Sequence, residues 1–289
     1  MKWEGREKSD NIEDRRGGGR TQVGAGLGIG TIIIVLIGLF FGVDLSSFMG
    51  SSAQYQQAPT QQQAPGTVGG VATQDGGLGD FVGVVLKDTE DVWNKVFREQ
   101  LNKTYREPKL VLFSGQVQSA CGFTSAAAGP FYCPGDEKVY IDLTFYNELK
   151  TKFRVSGDFA MAYVVAHEVG HHIQKQLGYT DYVHKQRGRV SKEEYNELSV
   201  KLELMADFFA GVWAHHAQGM KGILEEGDLE EAMNAAHAIG DDTIQKRSQG
   251  YVVPDSFTHG SAEQRMRWFK RGLMSGKMSD GDTFGTDSL

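Results

Sequence analysis

Residues 23–43, VGAGLGIGTIIIVLIGLFFGV, run for 21 positions without a charge, and nothing else in the chain limits its architecture so sharply. At a rise of about 1.5 Å per residue a helix of that length spans roughly 30 Å, the thickness of a bilayer's hydrocarbon layer. A single transmembrane anchor is therefore expected. The run is longer than the roughly 7–15-residue apolar stretch of a secretory leader, and no small-x-small cleavage site follows it cleanly, so a retained anchor is preferred to a cleaved signal. Arg15, Arg16 and Arg20 precede it, whereas Asp44 is the only charge beyond it until Asp75. The positive-inside rule then leaves the N-terminus in the cytoplasm and everything after Asp44 outside.

The chain divides accordingly into an N-terminal cytoplasmic segment (1–22), the anchor (23–43), a linker (44–79) and a globular domain (80–289). Residues 46–74 carry no charge, little apolar material and repeated Gln, Ala, Pro and Gly. Such a composition buries too little surface to offset its ordering entropy and reads as a flexible tether. Over the whole chain, 40% hydrophobic residues suffice for a core, and a formal charge of −7 argues against binding nucleic acid. The two cysteines, Cys121 and Cys133, fall in the part expected outside, where a disulfide is the default for a nearby pair. No second pair of Cys or His at finger spacing accompanies them, which sets a zinc finger aside.

Within the domain, residues 88–105 place Val92, Trp93, Val96, Phe97 and Leu101 on one helical face, with Asp88 or Thr89 as cap. KLVLFSG and KVYIDLTFY read as strands, residues 126–132 between them as an edge strand, and NELKTKF as helical. Further helices are expected over 158–177, after a capping box at Ser191 and Glu194, near 228–238 and over 261–273. The pattern is α+β, with a small antiparallel or mixed sheet and several helices.

The chemistry is concentrated in YVVAHEVGHHIQK. His167 and His171 are four apart, so on a helix they share a face and can grip one ion, while Glu168 stands beside it without binding. This is the H-E-x-x-H arrangement in which two neutral imidazoles hold zinc and the glutamate takes a proton from water. With eight histidines in 289 residues, chance would place such a motif about once in seventy sequences, so a third ligand is needed to corroborate it. The reprolysin-type continuation is absent, since Gln174 and Leu177 stand where its Gly and His would be. Downstream, ELMAD offers Glu203 and Asp207 one turn apart among Leu202, Leu204, Met205, Phe208 and Phe209. A solvated acidic face would not sit in so apolar a setting. Glu203 as third ligand, with Asp207 accepting the free N–H of a ligating histidine, is the better reading.

These motifs, together with CGFTSAAAGPFYCPGDEKVYIDLTFY, ELMADFFAGVWAHH and FTHGSAEQRMRWF, resemble the neutral zinc metallopeptidase family of bacterial single-pass membrane proteins. More broadly, the two zinc motifs are similar to those of gluzincin metallopeptidases. The resemblance covers nearly the whole length and implies a zincin-like domain, a zinc ion held by His167, His171 and Glu203, Glu168 as general base, and Asp207 behind a histidine ligand. It implies a zinc endopeptidase in the bacterial inner membrane, with its catalytic domain on the periplasmic or extracellular side and a peptide or protein as substrate.

Of the other histidines, His172 points about 100° from His171 and reads as packing or surface, and His184, His215, His216 and His237 have no spacing partner. His259 precedes a capping box at Ser261 and Gln264. His259 or Arg265 could donate to the oxyanion formed on a peptide carbonyl, or both could be structural. The substrate is expected to lie extended along the edge strand near 126–131, and Gly170 inside the catalytic helix marks the close approach of another backbone. Two rivals to catalysis remain: a membrane-anchored, zinc-binding but proteolytically inactive adaptor, which would have no need of Glu168, and a domain whose histidines merely pack.

Overall fold

The helix that carries both motif histidines is apolar on every side. Phe159, Ala160, Met161, Ala162, Tyr163, Val165, Ala166, Val169 and Ile173 are all buried, and a helix hydrophobic all round has to lie inside the domain. The computed structural model describes residues 1–16, 77–286 and 288–289. The expected anchor at 23–43, Arg20 and nearly all of the expected linker lie outside the described residues. Among the described residues no helix is long and apolar enough to cross a membrane.

In chain order the elements are β1 (Ile12–Asp14), α1 (Leu78–Val96), β2 (Lys109–Phe113), β3 (Gln116–Ser119), β4 (Gly122–Ser125), β5 (Phe131–Cys133), β6 (Lys138–Asp142), α2 (Thr144–Thr151), α3 (Asp158–Leu177), α4 (Tyr179–Gln186), α5 (Lys192–Lys221), α6 (Asp228–Ala238), α7 (Asp241–Gln249) and α8 (Ala262–Ser275). The fold is α+β, and the main sheet is mixed. Its order is β1-β2-β6-β5, with β1, β2 and β6 parallel and β5 antiparallel at the edge. Alternation along the strands separates two cores. Leu110, Leu112, Val139, Ile141 and Tyr132 face the helices, while Val111, Phe113, Tyr140, Phe131 and Cys133 form a smaller cluster on the other side. The β3–β4 hairpin is tied to β5 by the Cys121–Cys133 disulfide.

Helix α3 crosses α5 where Gly170 meets Ala206. A Cβ on Gly170 would stand 3.0 Å from the Ala206 carbonyl oxygen, so the close backbone approach expected there is present. Helix α5 begins on the foreseen capping box, with Ser191 accepting from the Glu194 amide at 3.1 Å and the Glu194 carboxylate accepting from the Ser191 amide at 2.9 Å. It meets α8 even more closely: a Cβ on Gly272 would fall 2.0 Å from the Phe208 carbonyl oxygen.

Three local expectations are corrected. The first helix starts at Leu78 rather than near Asp88, because Phe81, Val82, Val85 and Leu86 continue its buried face. Asp88 and Thr89 thus lie inside it rather than at its cap. After Val96 it widens into a π turn, Phe97–Leu101, and stops at Asn102 in the left-handed conformation. The strand read from KVYIDLTFY breaks after Asp142, whose carboxylate accepts from the Thr144 amide at 2.9 Å and starts α2. The edge strand is confined to 131–133, since 126–128 form a 3-10 turn.

Residues 1–16, set apart from the domain by sequence, pack against it. The Met1 side chain is buried, Trp3 stands edge-on to Phe81 at 5.5 Å, and β1 adds a parallel strand to β2. The Met1 amino group meets Asp158 and Asp228, two members of an acidic trio at the start of α3. The third, Glu231, accepts from the Phe159 amide at 3.0 Å.

Candidate metal centre

On α3, His167 and His171 project one turn apart with ring centroids 4.8 Å from each other. From α5, Glu203 reaches both. Its carboxylate oxygens lie 3.2 Å from the His167 Nε2 and 3.5 Å from the His171 Nε2. The opposite ring nitrogens are already engaged: His167 Nδ1 with Asp207 Oδ1 at 2.8 Å, and His171 Nδ1 with Gln174 Oε1 at 2.9 Å. Both acceptors are oxygens, so each Nδ1 carries a proton and each Nε2 is the nitrogen left on the Glu203 side, where a metal would bind.

Two zinc bonds of about 2.1 Å meeting near the tetrahedral angle hold their ligand atoms about 3.4 Å apart. The 3.2 and 3.5 Å separations match that figure, and the three ligand atoms all lie within 4.8 Å of one another. The donor set of two imidazoles and one carboxylate suits zinc. The geometry therefore fits the ion that the sequence motif implies.

Asp207 is fully buried and held by three residues. It accepts from the Tyr163 hydroxyl at 2.5 Å, from His167, and from Arg265 at 2.9 and 3.0 Å. Burial works against its charge, but the Arg265 guanidinium and His167 outweigh that and hold its carboxyl below the usual range. Arg265 is thereby committed. Its fork serves Asp207, Tyr163 and the Ile239 carbonyl, and the residue also borders the cavity beside the cluster. Neither Tyr163 nor Gln174 was singled out from sequence. The available signal was spacing: Tyr163 lies four before His167 and Gln174 three after His171, both on the ligand face.

Protonation in this cluster is set by burial and charge together. Burial disfavours the imidazolium of His167, yet Asp207 and Glu203 overcome it and push its pKa up to about 9. His171, with burial dominant and His167 beside it, is pushed down to about 4. Burial chiefly, with Glu203 adding, raises Glu168 to about 7, against the lowering influence of His167 and a hydrogen bond from the Tyr132 backbone. Glu203 moves the other way, since its histidine neighbours outweigh burial.

Glu168 opens on a cavity of about 130 Å³ whose walls include His167, His171, Glu203, His259, Phe131 and Tyr132. The edge strand thus borders Glu168. His259 is fixed by Asp241, which accepts from its backbone amide at 2.7 Å and faces its Nδ1 at 3.3 Å. Burial lowers the basicity of His259, but Glu203 and Asp241 reverse this and raise its pKa. His172 is structural, its ring lying 3.0 Å from the Tyr132 hydroxyl and 2.6 Å from the Arg106 carbonyl.

Comparison with known proteins bears on this geometry. A family described as "Putative neutral zinc metallopeptidase" matches residues 1–284. The chain is 47% identical over 294 residues to the "Uncharacterized protein YpfJ" of Escherichia coli (strain K12), covering 99% of each chain. It is 42% identical over 195 residues to the "Uncharacterized protein Rv2575" of Mycobacterium tuberculosis (strain ATCC 25618 / H37Rv), covering 64% of this chain and 65% of that one. No solved structure matches it.

Proposed function

This chain belongs to the neutral zinc metallopeptidase family, and we propose that it hydrolyses internal peptide bonds of a peptide or protein substrate. The observation that carries the proposal is the convergence of two imidazole Nε2 atoms and the Glu203 carboxylate, with Glu168 turned into the adjoining cavity. His167, His171 and Glu203 would hold the zinc ion, which supplies Lewis acidity and acidifies a water molecule. Glu168 takes the proton of the attacking water on its carboxylate and returns it to the leaving amine. Its position near neutrality suits both halves of that exchange. His259, anchored through Asp241, donates to the carbonyl oxygen as negative charge gathers there. Asp207, clamped by Arg265 and Tyr163, keeps the His167 proton on Nδ1 and the ring in place. An extended peptide pairing with the outer edge of β5 would lie across Glu168. The Cys121–Cys133 disulfide supports an oxidising compartment for the domain.

The test compares Glu168→Gln with the parent protein. The amide is nearly isosteric, so zinc content by elemental analysis should stay at one per chain while cleavage of an unfolded protein substrate falls about 10²–10⁴-fold. His259→Gln should lower kcat with little change in zinc content. A parent protein that carries zinc and binds peptides yet cleaves none would instead favour the inactive adaptor. Loss of zinc from Glu168→Gln would overturn the assigned roles.

A further inference from the structure

The first sixteen residues form a strap against the body that holds the metal centre. The Ser9 amide donates to the Gly83 carbonyl at 3.0 Å, and the Asn11 side chain donates to Glu90 at 2.9 Å. Arg6 pairs with Asp88, the Ser9 hydroxyl with Glu90, and Lys138 with the two oxygens of Glu13 at 2.7 and 3.0 Å. Asp88 and Glu90 are only 1% and 3% exposed. Without the strap, Glu90 would lose the hydrogen bonds that compensate its burial, and β2 would present an unpaired edge. The family match covers residues 1–284 and so includes the strap.

A backbone ladder and buried ion pairs form only in contact, and a bilayer holds its two faces about 30 Å apart. We infer that residues 1–16 and the metal-bearing body lie on the same side of any membrane the chain meets. The arginines that pointed to a cytoplasmic N-terminus are partly accounted for within the strap: Arg15 pairs with Glu13 and Arg16 with Asp14, each at 2.5 Å.

The test uses the full-length chain in cell membranes. The Lys8 Cβ lies 3.4 Å from the position a Cβ would take on Gly83, close to the roughly 3.5–4.5 Å of a disulfide. Lys8→Cys with Gly83→Cys should therefore cross-link under copper phenanthroline, giving a reductant-reversible mobility shift absent from either single variant. Absence of the cross-link in a variant that retains its zinc would overturn the inference. A second measurement avoids the buried glycine. Glu4→Cys and Ser248→Cys, both at exposed positions, are treated separately with a membrane-impermeant maleimide on intact spheroplasts. Equal labelling of both, or protection of both until lysis, supports one side; labelling of one with protection of the other overturns it.

Discussion

Replacing Asp207 by Asn tests the arrangement behind the metal centre. Asp207 is 0% exposed and Arg265 only 2%, and their two contacts are 2.9 and 3.0 Å long. The amide keeps the shape and one acceptor oxygen but removes the charge, leaving the buried guanidinium without its counter-ion. Breaking one partner of a buried pair costs about 3–5 kcal/mol. For a body of this size that lowers the melting temperature by about 6–20 °C. Arg265→Met should cost less, because Asp207 would still have His167 and Tyr163. The double variant should be more stable than the sum of the single losses allows, since neither charge is then stranded. Urea unfolding of the four metal-free proteins measures this coupling. Losses that add within about 0.5 kcal/mol would refute the reasoning, because independent sites behave in that way. In the zinc-loaded protein Asp207→Asn should also weaken metal affinity about 10–100-fold through the loosened His167 ring.

Glu203→Ala should abolish both stoichiometric zinc and hydrolysis, with elemental analysis as the check; retained zinc would send the search for a third ligand elsewhere. Gly272→Ala places a Cβ 2.0 Å from the Phe208 carbonyl oxygen, and overpacking against backbone should cost about 3 kcal/mol or more in urea unfolding. Cys121→Ser with Cys133→Ser opens a loop of sequence separation 12, an expected loss of about 3 kcal/mol that added reductant should reproduce in the parent protein. The metal-free protein should lose stability as pH rises above 6.5: the Glu168 carboxyl, raised to about 7, finishes its loss there, and the His167 contribution, complete below 6.5, disappears through about 9, whereas below 6.5 His171, lowered to about 4, works in the opposite sense. Melting curves from pH 5 to 9 check the direction, and calorimetry at pH 7.5 should find about one proton released per zinc bound, from His167.

The sequence revealed what short-range periodicity encodes. The bounds of α3, the capping boxes of α5 and α8 and the Gly170 contact follow from local spacing, and the structure places each as expected. So does the meeting of His167, His171 and Glu203, because an apolar helix bearing carboxylates has to find buried partners for them. Contacts between distant residues were less legible. Arg265 joins Asp207 from 58 positions away, and nothing in AEQRMRWF distinguishes its buried arginine from Arg267, which is exposed. The strap was missed for a related reason: charged, glycine-flanked residues before an apolar run satisfy the positive-inside pattern, and that pattern carries no information about docking on a strand more than ninety residues later. Helices α4 and α7 were missed because they are short and largely polar, starting after a left-handed Gly178 and from Gly240 rather than from a recognisable capping sequence.

The arrangement of charge around His167 links metal binding to the acid–base residue. Two buried carboxylates flank the ring, and Arg265 offsets only Asp207. Among the described residues no Lys or Arg lies at hydrogen-bonding distance from Glu203, so in the metal-free protein a proton on His167 meets the deficit, against the burial that opposes it. A pocket with that residual negative charge favours a divalent ion over a single proton, and the displaced proton leaves His167 neutral with Nδ1–H still directed at Asp207. Glu168 responds to the same exchange. Burial and the Glu203 charge raise its pKa, whereas nearby positive charge lowers it. Filling the pocket with two positive charges in place of one therefore drives Glu168 toward its carboxylate form, which is the form that can accept a proton from water. The residue proposed here to transfer the proton would thus be made competent by occupancy of the neighbouring ligands, a coupling that mere packing of the histidines would not require.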